Sequence, residues 1–297
     1  RRQEITDTQG LNTLYIGGGT PSVLPLSVLG RLVSTLGCGP FDEFTIEVNP
    51  EDIVERGPDY VRSLLALGVN RISMGVQSLD DGILHWMRRR HDASGARRAV
   101  RILREAGVGN ISIDLIFGFP SLSEAVLETT LDEVAGWKPE HISAYQLSIE
   151  EGSALASLAR DGRFEEASES LCASQYQRIC RRLSAAGYEH YEISNWALPG
   201  RRALHNSAYW TRHTYAGLGP GAHSFDGHCR RANSQNLTGW THSIETLTPQ
   251  EEREEKIMLG LRTSDGIPEK LCDYRKVLGL IAEGCLERLS GDSGHVR

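Results

Sequence analysis

The sequence predicts an α/β fold in which helices cover a mainly parallel sheet. Three observations support this class: short β-rich runs recur along the chain, helical patterns fill the intervals, and glycine follows several of those patterns. The β-rich runs begin 32, 28, 40 and 30 residues apart, which is the length of a βα unit. The alternation predicts parallel strands joined by helices, but periodicity leaves open whether the sheet is flat or curled into a barrel.

Five β-rich runs are predicted to be strands. They cover residues 11–16, 43–48, 71–76, 111–118 and 141–149. A closed eight-fold barrel would need three more units, and the pattern fades after residue 190. The sequence therefore predicts five βα units and an incomplete barrel or an open sheet.

Helical patterns follow the second, third and fourth of these strands. Pro58 is expected to open a helix that Gly68 closes. Apolar residues at 96, 99, 100 and 103 have the spacing of one helix face. Ser121 and Glu124 have the spacing of a capping box ahead of the next helix.

The later part of the chain has a different character. Residues 172–183 predict one more helix of the α/β pattern, ending at Gly187, and from about residue 195 the chain is rich in Gly, His, Asn and aromatic residues. Residues 249–267 indicate a charged helix followed by a turn. We place a domain boundary near residue 245, which gives a core at 1–245 and the start of a second domain at 246–297.

Composition excludes several classes of protein. Among 297 residues, 32 are Lys or Arg and 39 are Asp or Glu, a formal charge of −7 that argues against a broad nucleic-acid-binding surface. There is no uncharged apolar stretch of 18 residues, so the chain is not expected to be transmembrane. The six cysteines include no CxxC or CxxxC pair, so we expect reduced thiols and a cytoplasmic protein without a zinc site.

Polar residues collect where the predicted strands end. The first strand runs into residues 17–21, whose three glycines let the backbone adopt positive φ and approach a ligand closely. This loop is not a GxxxxGK[ST] phosphate loop, because no lysine follows. A tight turn without a ligand is the alternative interpretation.

The other strands repeat this placement of polar groups. Glu47 and Asn49 stand at the end of the second strand, Gln77 ends the third, Asp114 lies in the fourth and Gln146 in the fifth. A carboxylate in an apolar strand is costly unless it is paired, so Asp114 needs either a structural hydrogen bond or a ligand ammonium or hydroxyl. Because ligands of parallel α/β folds bind at the carboxyl ends of strands, these residues predict a ligand site.

Two further stretches carry candidate functional residues. Residues 87–91 read Met-Arg-Arg-Arg-His, which indicates either a solvated basic face or an arginine that reaches over the strand ends. Residues 205–210 read His-Asn-Ser-Ala-Tyr-Trp. A histidine beside aromatic rings suits a flat apolar ligand with an axial metal, such as haem, although an ordinary hydrogen-bonding histidine is the alternative.

Taken together, these motifs resemble a known family. GGGTP at 17–21, EVNP at 47–50, RISMGVQ at 71–77 and IDLIFGFP at 113–120 occur in the order found in radical SAM proteins of the oxygen-independent coproporphyrinogen III oxidase family. The resemblance covers residues 11 to about 225. Within that family, the HNxxYW stretch resembles the haem chaperone (HemW) branch and does not mark the oxidases.

The resemblance implies a fold and a set of cofactors. The fold is a partial TIM-type (βα)6 radical SAM barrel with a smaller, mainly helical C-terminal region. The cofactors are a [4Fe–4S] cluster on a CxxxCxxC loop, S-adenosylmethionine and haem. These 297 residues contain no CxxxCxxC, so we expect a fragment whose first strand and cluster cysteines lie upstream and whose C-terminal domain is incomplete.

The resemblance also assigns residues to ligands. Arg89 is preferred to its neighbours because it lies twelve residues after Gln77, as in the family; in the oxidases the contacts of Gln77, Arg89 and Asp114 belong to a second S-adenosylmethionine. The seven positions that match S-adenosylmethionine contacts are Gly18, Gly19, Thr20, Glu47, Gln77, Arg89 and Asp114. The four that match the haem motif are His205, Asn206, Tyr209 and Trp210, with His205 as the candidate ligand of the haem iron.

Three functions are compatible with these sequence features. A haem chaperone would bind haem and pass it to an acceptor protein, with a membrane-associated respiratory enzyme as one candidate acceptor. An oxidase would decarboxylate two propionates of coproporphyrinogen III to vinyl groups. An α/β barrel that binds an unrelated metabolite is the third. The HNxxYW stretch favours the chaperone, which leaves open whether the chain is an enzyme.

Overall fold

The computed structural model describes residues 10–236, 238, 241–289 and 294–297. Its described residues form two compact units. Of the described residues, the larger unit contains residues 10–190 together with Ser194–Ala203, and the second contains Tyr191–Ile193 and those from Leu204 onward. The domain boundary expected near residue 245 stays a prediction.

A curled, seven-stranded sheet forms the centre of the fold. Strands β1 to β5 pair in chain order and run parallel, β7 pairs antiparallel to β5, and β6 lies outside β7. The strands are β1 (Thr13–Ile16), β2 (Glu43–Val48), β3 (Arg71–Gln77), β4 (Ile111–Phe117), β5 (His141–Gln146), β6 (Glu189–Glu192) and β7 (Asn195–Ala197). The five predicted strands are thus confirmed, and the sheet is the partial barrel that the resemblance implied.

Helices pack against this sheet. They are α1 (Leu26–Leu36), α2 (Pro50–Ala66), α3 (Asp81–Trp86), α4 (Ala93–Glu105), α5 (Glu124–Gly136), α6 (Ala154–Arg160) and α7 (Glu169–Ala185), with a short 3₁₀ turn at Pro21–Val23. The core lies between helices and sheet, where Ile46, Ile72 and Ile113 are fully buried beside apolar faces of α2 and α4. Burying such side chains is the main stabilising contribution to the fold.

Two helix starts differ from the prediction. The helix expected to open at Pro58 begins instead at Pro50, and it continues past a break at Gly57, where φ is 69° and ψ −174°. Glycine adopts that conformation without strain, so the chain changes direction there and Pro58 starts a fresh turn. The capping box expected at Ser121 is wrong, because Ser123 is the cap and its Oγ accepts the Val126 N–H.

The second unit contains the remaining elements. Its helices are α8 (Leu204–Trp210), α9 (Pro249–Gly260) and α10 (Tyr274–Ala282), and its strands are β8 (His223–Phe225), β9 (Cys229–Asn233), β10 (His242–Thr246), β11 (Ile267–Pro268) and β12 (His295–Val296). Thr248 and Glu251 form a capping box at the start of α9, the charged helix that the sequence predicts. Strands β8 to β10 form an antiparallel sheet that the sequence did not predict, since β9 and β10 are largely polar.

Among the described residues, no helix is both long enough and apolar enough to cross a bilayer.

Candidate functional site

A cavity of about 220 Å³ opens at the carboxyl ends of β1 to β4. Its lining residues come from the loops after β1, β2 and β3 and from β2, β3 and β4 themselves: Gly19, Thr20, Pro21, Glu47, Val48, Asn49, Ser73, Gly75, Gln77, Arg89 and Asp114. Six of the seven residues predicted for S-adenosylmethionine therefore line one cavity. The seventh, Gly18, borders it through a hydrogen bond to Glu47.

The glycine loop at one side of the cavity needs its glycines. Gly18 and Gly19 have φ of 77° and 85°, a region that residues with a side chain rarely adopt. At Gly17 the constraint is space, because a Cβ would lie 2.7 Å from Glu47 Oε1 and 2.5 Å from the Tyr15 ring. The loop thus brings its backbone close to the Glu47 carboxylate.

Glu47 is held by donors on both carboxylate oxygens. The Tyr15 hydroxyl donates to Oε1 over 2.7 Å, and the Gly18 N–H donates to Oε2 over 2.9 Å. Burial, together with the charge of Glu47, raises the pKa of Tyr15, so that hydroxyl stays protonated and remains a donor. The two bonds orient Glu47 before any ligand arrives.

Asp114 is the second carboxylate of the cavity. Burial raises its pKa from 3.8 to about 6, and the Glu47 charge adds to the rise, whereas hydrogen bonds from the side chains of Ser143 and Ser73 lower it. The Ser73 hydroxyl donates to Oδ2 over 3.0 Å. Ser73 and Ser143 therefore supply the hydrogen bonds that a carboxylate inside an apolar strand needs. Asp114 also lines the cavity.

Gln77 occupies a strained turn at the end of β3. Its φ is 66°, and the Ser78 N–H donates across it to the Val76 carbonyl over 2.8 Å, which is the bond pattern of a γ-turn. The pairing of β3 with β4 shifts by one residue between Gly75 and Gln77. A positive φ at a residue other than glycine costs roughly 1–3 kcal/mol and persists only where the surroundings enforce it.

Arg89 is the arginine that reaches the cavity. Its Nη2 donates to Asn49 Oδ1 and to the Gly75 carbonyl, each over 3.0 Å. Burial lowers the pKa of Arg89, and the carboxylates Glu51 and Asp114 oppose that shift. Arg90 points elsewhere, to Glu51 and Asp52. The basic run is therefore not simply a solvated face.

Sequence reasoning missed several residues of the cavity. Ser73 and Gly75 alternate with Gln77 along β3, so the period of two could have placed all three on one face. Tyr15 gave no such signal, since its contact with Glu47 joins residues 32 positions apart.

The four residues of the HNxxYW motif lie on α8, in the second unit. His205 Nε2 and the Tyr209 hydroxyl are 2.9 Å apart, and the Asn206 amide donates to Glu192 Oε1 over 3.3 Å. Trp210 Nε1 is buried and has no hydrogen-bond partner among the described residues. Burial raises the pKa of Tyr209. One short helix therefore presents an imidazole, a phenol and an unused indole donor.

Among the described residues, the cysteines form no metal site. All six are free thiols. In the part of the chain that the structure describes, no group of three or more His, Cys, Asp or Glu residues could hold a metal ion.

The chain is similar in sequence to proteins of a known family. Residues 3–134 match the family model of the radical SAM superfamily. "Heme chaperone HemW" of Lactococcus lactis is 33% identical over 294 residues, covering 92% of this chain and 76% of the relative. The protein of the same name from Mycobacterium tuberculosis is also 33% identical, covering 95% and 76%.

A solved structure shows the same fold. Coproporphyrinogen III oxidase (HemN) from Escherichia coli, described as a radical SAM enzyme, aligns with a TM-score of 0.78 at 22% identity, covering 96% of this chain and 74% of that one. At that identity the likeness concerns the fold alone. The sequence relatives and the family model show that this chain belongs to the HemW haem chaperone branch of the radical SAM superfamily.

Proposed function

We propose that this chain binds haem and delivers it to an acceptor protein, with S-adenosylmethionine as the ligand of its sheet-edge cavity. The observation that carries the haem proposal is α8, where His205 and Trp210 offer a ligand nitrogen and an unused buried donor. The relatives named "Heme chaperone HemW" support it. A membrane-associated respiratory enzyme is one class of acceptor.

The cavity suits the polar groups of S-adenosylmethionine. Glu47 and Asp114 would accept hydrogen bonds from the ammonium group or ribose hydroxyls, and the positively charged Arg89 would face the carboxylate. Gly18 and Gly19 leave the backbone uncovered, since nothing lies within 4 Å of where their Cβ atoms would be. Together with a reduced cluster, bound S-adenosylmethionine supplies radical chemistry.

The described residues offer no ligand set for the [4Fe–4S] cluster that the family implies. Among these residues, the groups that we propose to act are those of the cavity and of the haem motif. Glu47, prepositioned by Tyr15 and Gly18, would need no rearrangement to receive a cation.

Haem would be held from α8. Iron coordination suits the neutral imidazole of His205, and Nε2 must leave the Tyr209 hydroxyl to become available. The Trp210 N–H would then donate to a polar group of the bound porphyrin, which would satisfy a buried donor that has no partner among the described residues.

An anaerobic haem titration followed by visible absorption tests the proposal. We expect a Soret band that saturates near one equivalent of haem. A response that never saturates would contradict haem carriage, and assay with coproporphyrinogen III would then test the oxidase alternative.

Replacement of Gly75 by alanine tests the cavity. The new Cβ would lie 2.7 Å from Gln77 Nε2 and 3.0 Å from Arg89 Nη2, both at the far ends of long side chains. We expect these ends to move, so that affinity for S-adenosylhomocysteine, measured by calorimetry, falls by about tenfold. The melting temperature should change little, since φ at Gly75 is not positive.

Gly136→Ala is the matched control, because Gly136 ends α5 and has nothing within 4 Å of its would-be Cβ. Equal affinities of the two alanine variants would rule out Gln77 and Arg89 as ligand contacts.

A further inference from the structure

Three successive side chains after β3 join α2 to the wall of the cavity. Arg89 contacts Asn49 and Gly75, as described above. Arg90 donates from Nε to Glu51 Oε1 over 3.0 Å, and from Nη2 to Asp52 Oδ1 over 2.6 Å. His91 follows them and is not part of the cavity lining.

His91 is a buried histidine between two acceptors. Its side chain is 1% exposed, its Nδ1 lies 3.1 Å from Glu51 Oε2, and its Nε2 lies 3.1 Å from the Val76 carbonyl oxygen. A neutral imidazole carries only one N–H. Its other ring nitrogen would place a lone pair against the lone pairs of an acceptor oxygen, and the two would repel each other. Only the doubly protonated ring donates to both partners.

Glu51 provides the opposite charge. Burial disfavours its ionised form, but hydrogen bonds from His91, from its own backbone and from Arg90 prevail and hold its pKa at about 2. Glu51 is therefore a carboxylate that pairs with both His91 and Arg90. A buried imidazolium is tolerated where such a partner and a second acceptor are both present.

The second acceptor belongs to the strained turn. The Val76 carbonyl accepts from Ser78 N–H, closing the turn over Gln77, and it also accepts from His91. Gln77 lies between the Val76 carbonyl and the Ser78 N–H, which close the turn, and it lines the cavity. His91 thus holds the peptide group that directs Gln77.

The first turn of α2 also contacts the segment that follows the glycine loop at residues 17–21. The Ser22 hydroxyl donates to Asp52 Oδ2 over 2.6 Å, and both residues are buried. Ser22 follows Pro21, a residue of the cavity lining. The first turn of α2 therefore connects the loop after β1 with the turn that ends β3.

We propose that His91, held as an imidazolium by Glu51, is a positioning residue that fixes the Val76 carbonyl and thereby directs Gln77 into the cavity. The identity of the ligand in that cavity rests on the proposed function. The protonation of His91 and its hold on the turn do not.

Nitrogen NMR of the full chain with ¹⁵N-labelled histidine tests the protonation. At pH 7 we expect His91 to show protons on both ring nitrogens. In Glu51→Gln the amide oxygen still accepts from Nδ1, but the charge is gone, and the doubly protonated signature should weaken. A neutral single tautomer of His91 in the wild-type protein would overturn the proposal.

His91→Gln tests the positioning, with Arg104→Gln as control. Arg104 pairs with Glu140 and donates to the carbonyls of Val108 and Lys138, away from the cavity. Both variants should lower the melting temperature. Only His91→Gln should shift the Gln77 amide resonance and weaken binding of S-adenosylhomocysteine, by about tenfold.

The outcomes separate the two proposals. An unchanged Gln77 resonance in His91→Gln would overturn the positioning role. If the wild-type protein does not bind S-adenosylhomocysteine, the proposed cavity function fails, while the NMR results still decide the role of His91. If His91→Gln does not fold, the Gln77 resonance in Glu51→Gln decides it.

Discussion

Replacement of Asp114 by asparagine is expected to stabilise the protein at pH 7 while weakening its cavity as a binding site. Burial raises the pKa of Asp114 to about 6, so ionisation of this carboxyl is less favourable in the folded state than in the unfolded one. The cost at pH 7 is on the order of 2–3 kcal/mol, since each pKa unit corresponds to about 1.4 kcal/mol. Asparagine avoids that cost but lacks the charge for a cationic ligand.

The pH dependence has a definite sign. The folded-state pKa of Asp114 lies above its unfolded value, so the folded protein holds the proton more tightly. The stability contributed by the protonated carboxyl is present below about pH 4 and is lost as the pH rises through about 6. The melting temperature of Asp114→Asn should therefore exceed that of the wild type by more at pH 7 than at pH 4.5.

Thermal unfolding at the two pH values and calorimetry with S-adenosylhomocysteine measure both effects. Asp161→Asn, which changes an exposed carboxylate after α6, should alter neither. An Asp114→Asn variant that melts lower than the wild type at pH 7 would show that the carboxylate is better compensated than its burial indicates.

Replacement of His205 by alanine is expected to reduce haem affinity by about 100-fold, because the proposed iron ligand is lost. Folding should be little affected, since His205 lies on a partly exposed helix and alanine favours helices. Visible titration with haem measures the affinity, and binding of S-adenosylhomocysteine should stay unchanged.

Two further variants sharpen this experiment. Tyr209→Phe releases His205 Nε2 from its hydrogen bond, so haem affinity should rise by a few-fold, in line with about 1 kcal/mol for such a bond. His213→Ala removes a second imidazole of the same unit, one that contacts Thr211, and should have no effect. Equal losses in His205→Ala and His213→Ala would indicate non-specific haem binding.

Much of the cavity was predictable because its residues follow strands in a regular pattern. Residues 17–21, Glu47 and Gln77 stand at or near strand ends, Asp114 lies within β4, and parallel strands bring their carboxyl ends to one edge. The small sheet β8 to β10 was not predictable in the same way. Its pairing relies on contacts between polar segments, and these leave no apolar alternation in the sequence.

The sequence by itself determined the βα order, the five central strands, the family and most of the residues predicted to meet at the sheet edge. Only the tertiary structure decided which partners hold Arg89, how Gln77 is held, and why Asp114 resists ionisation. The reason is physical. Periodicity and strand-end chemistry are local properties of the chain, whereas charge state and side-chain direction depend on partners tens of residues away.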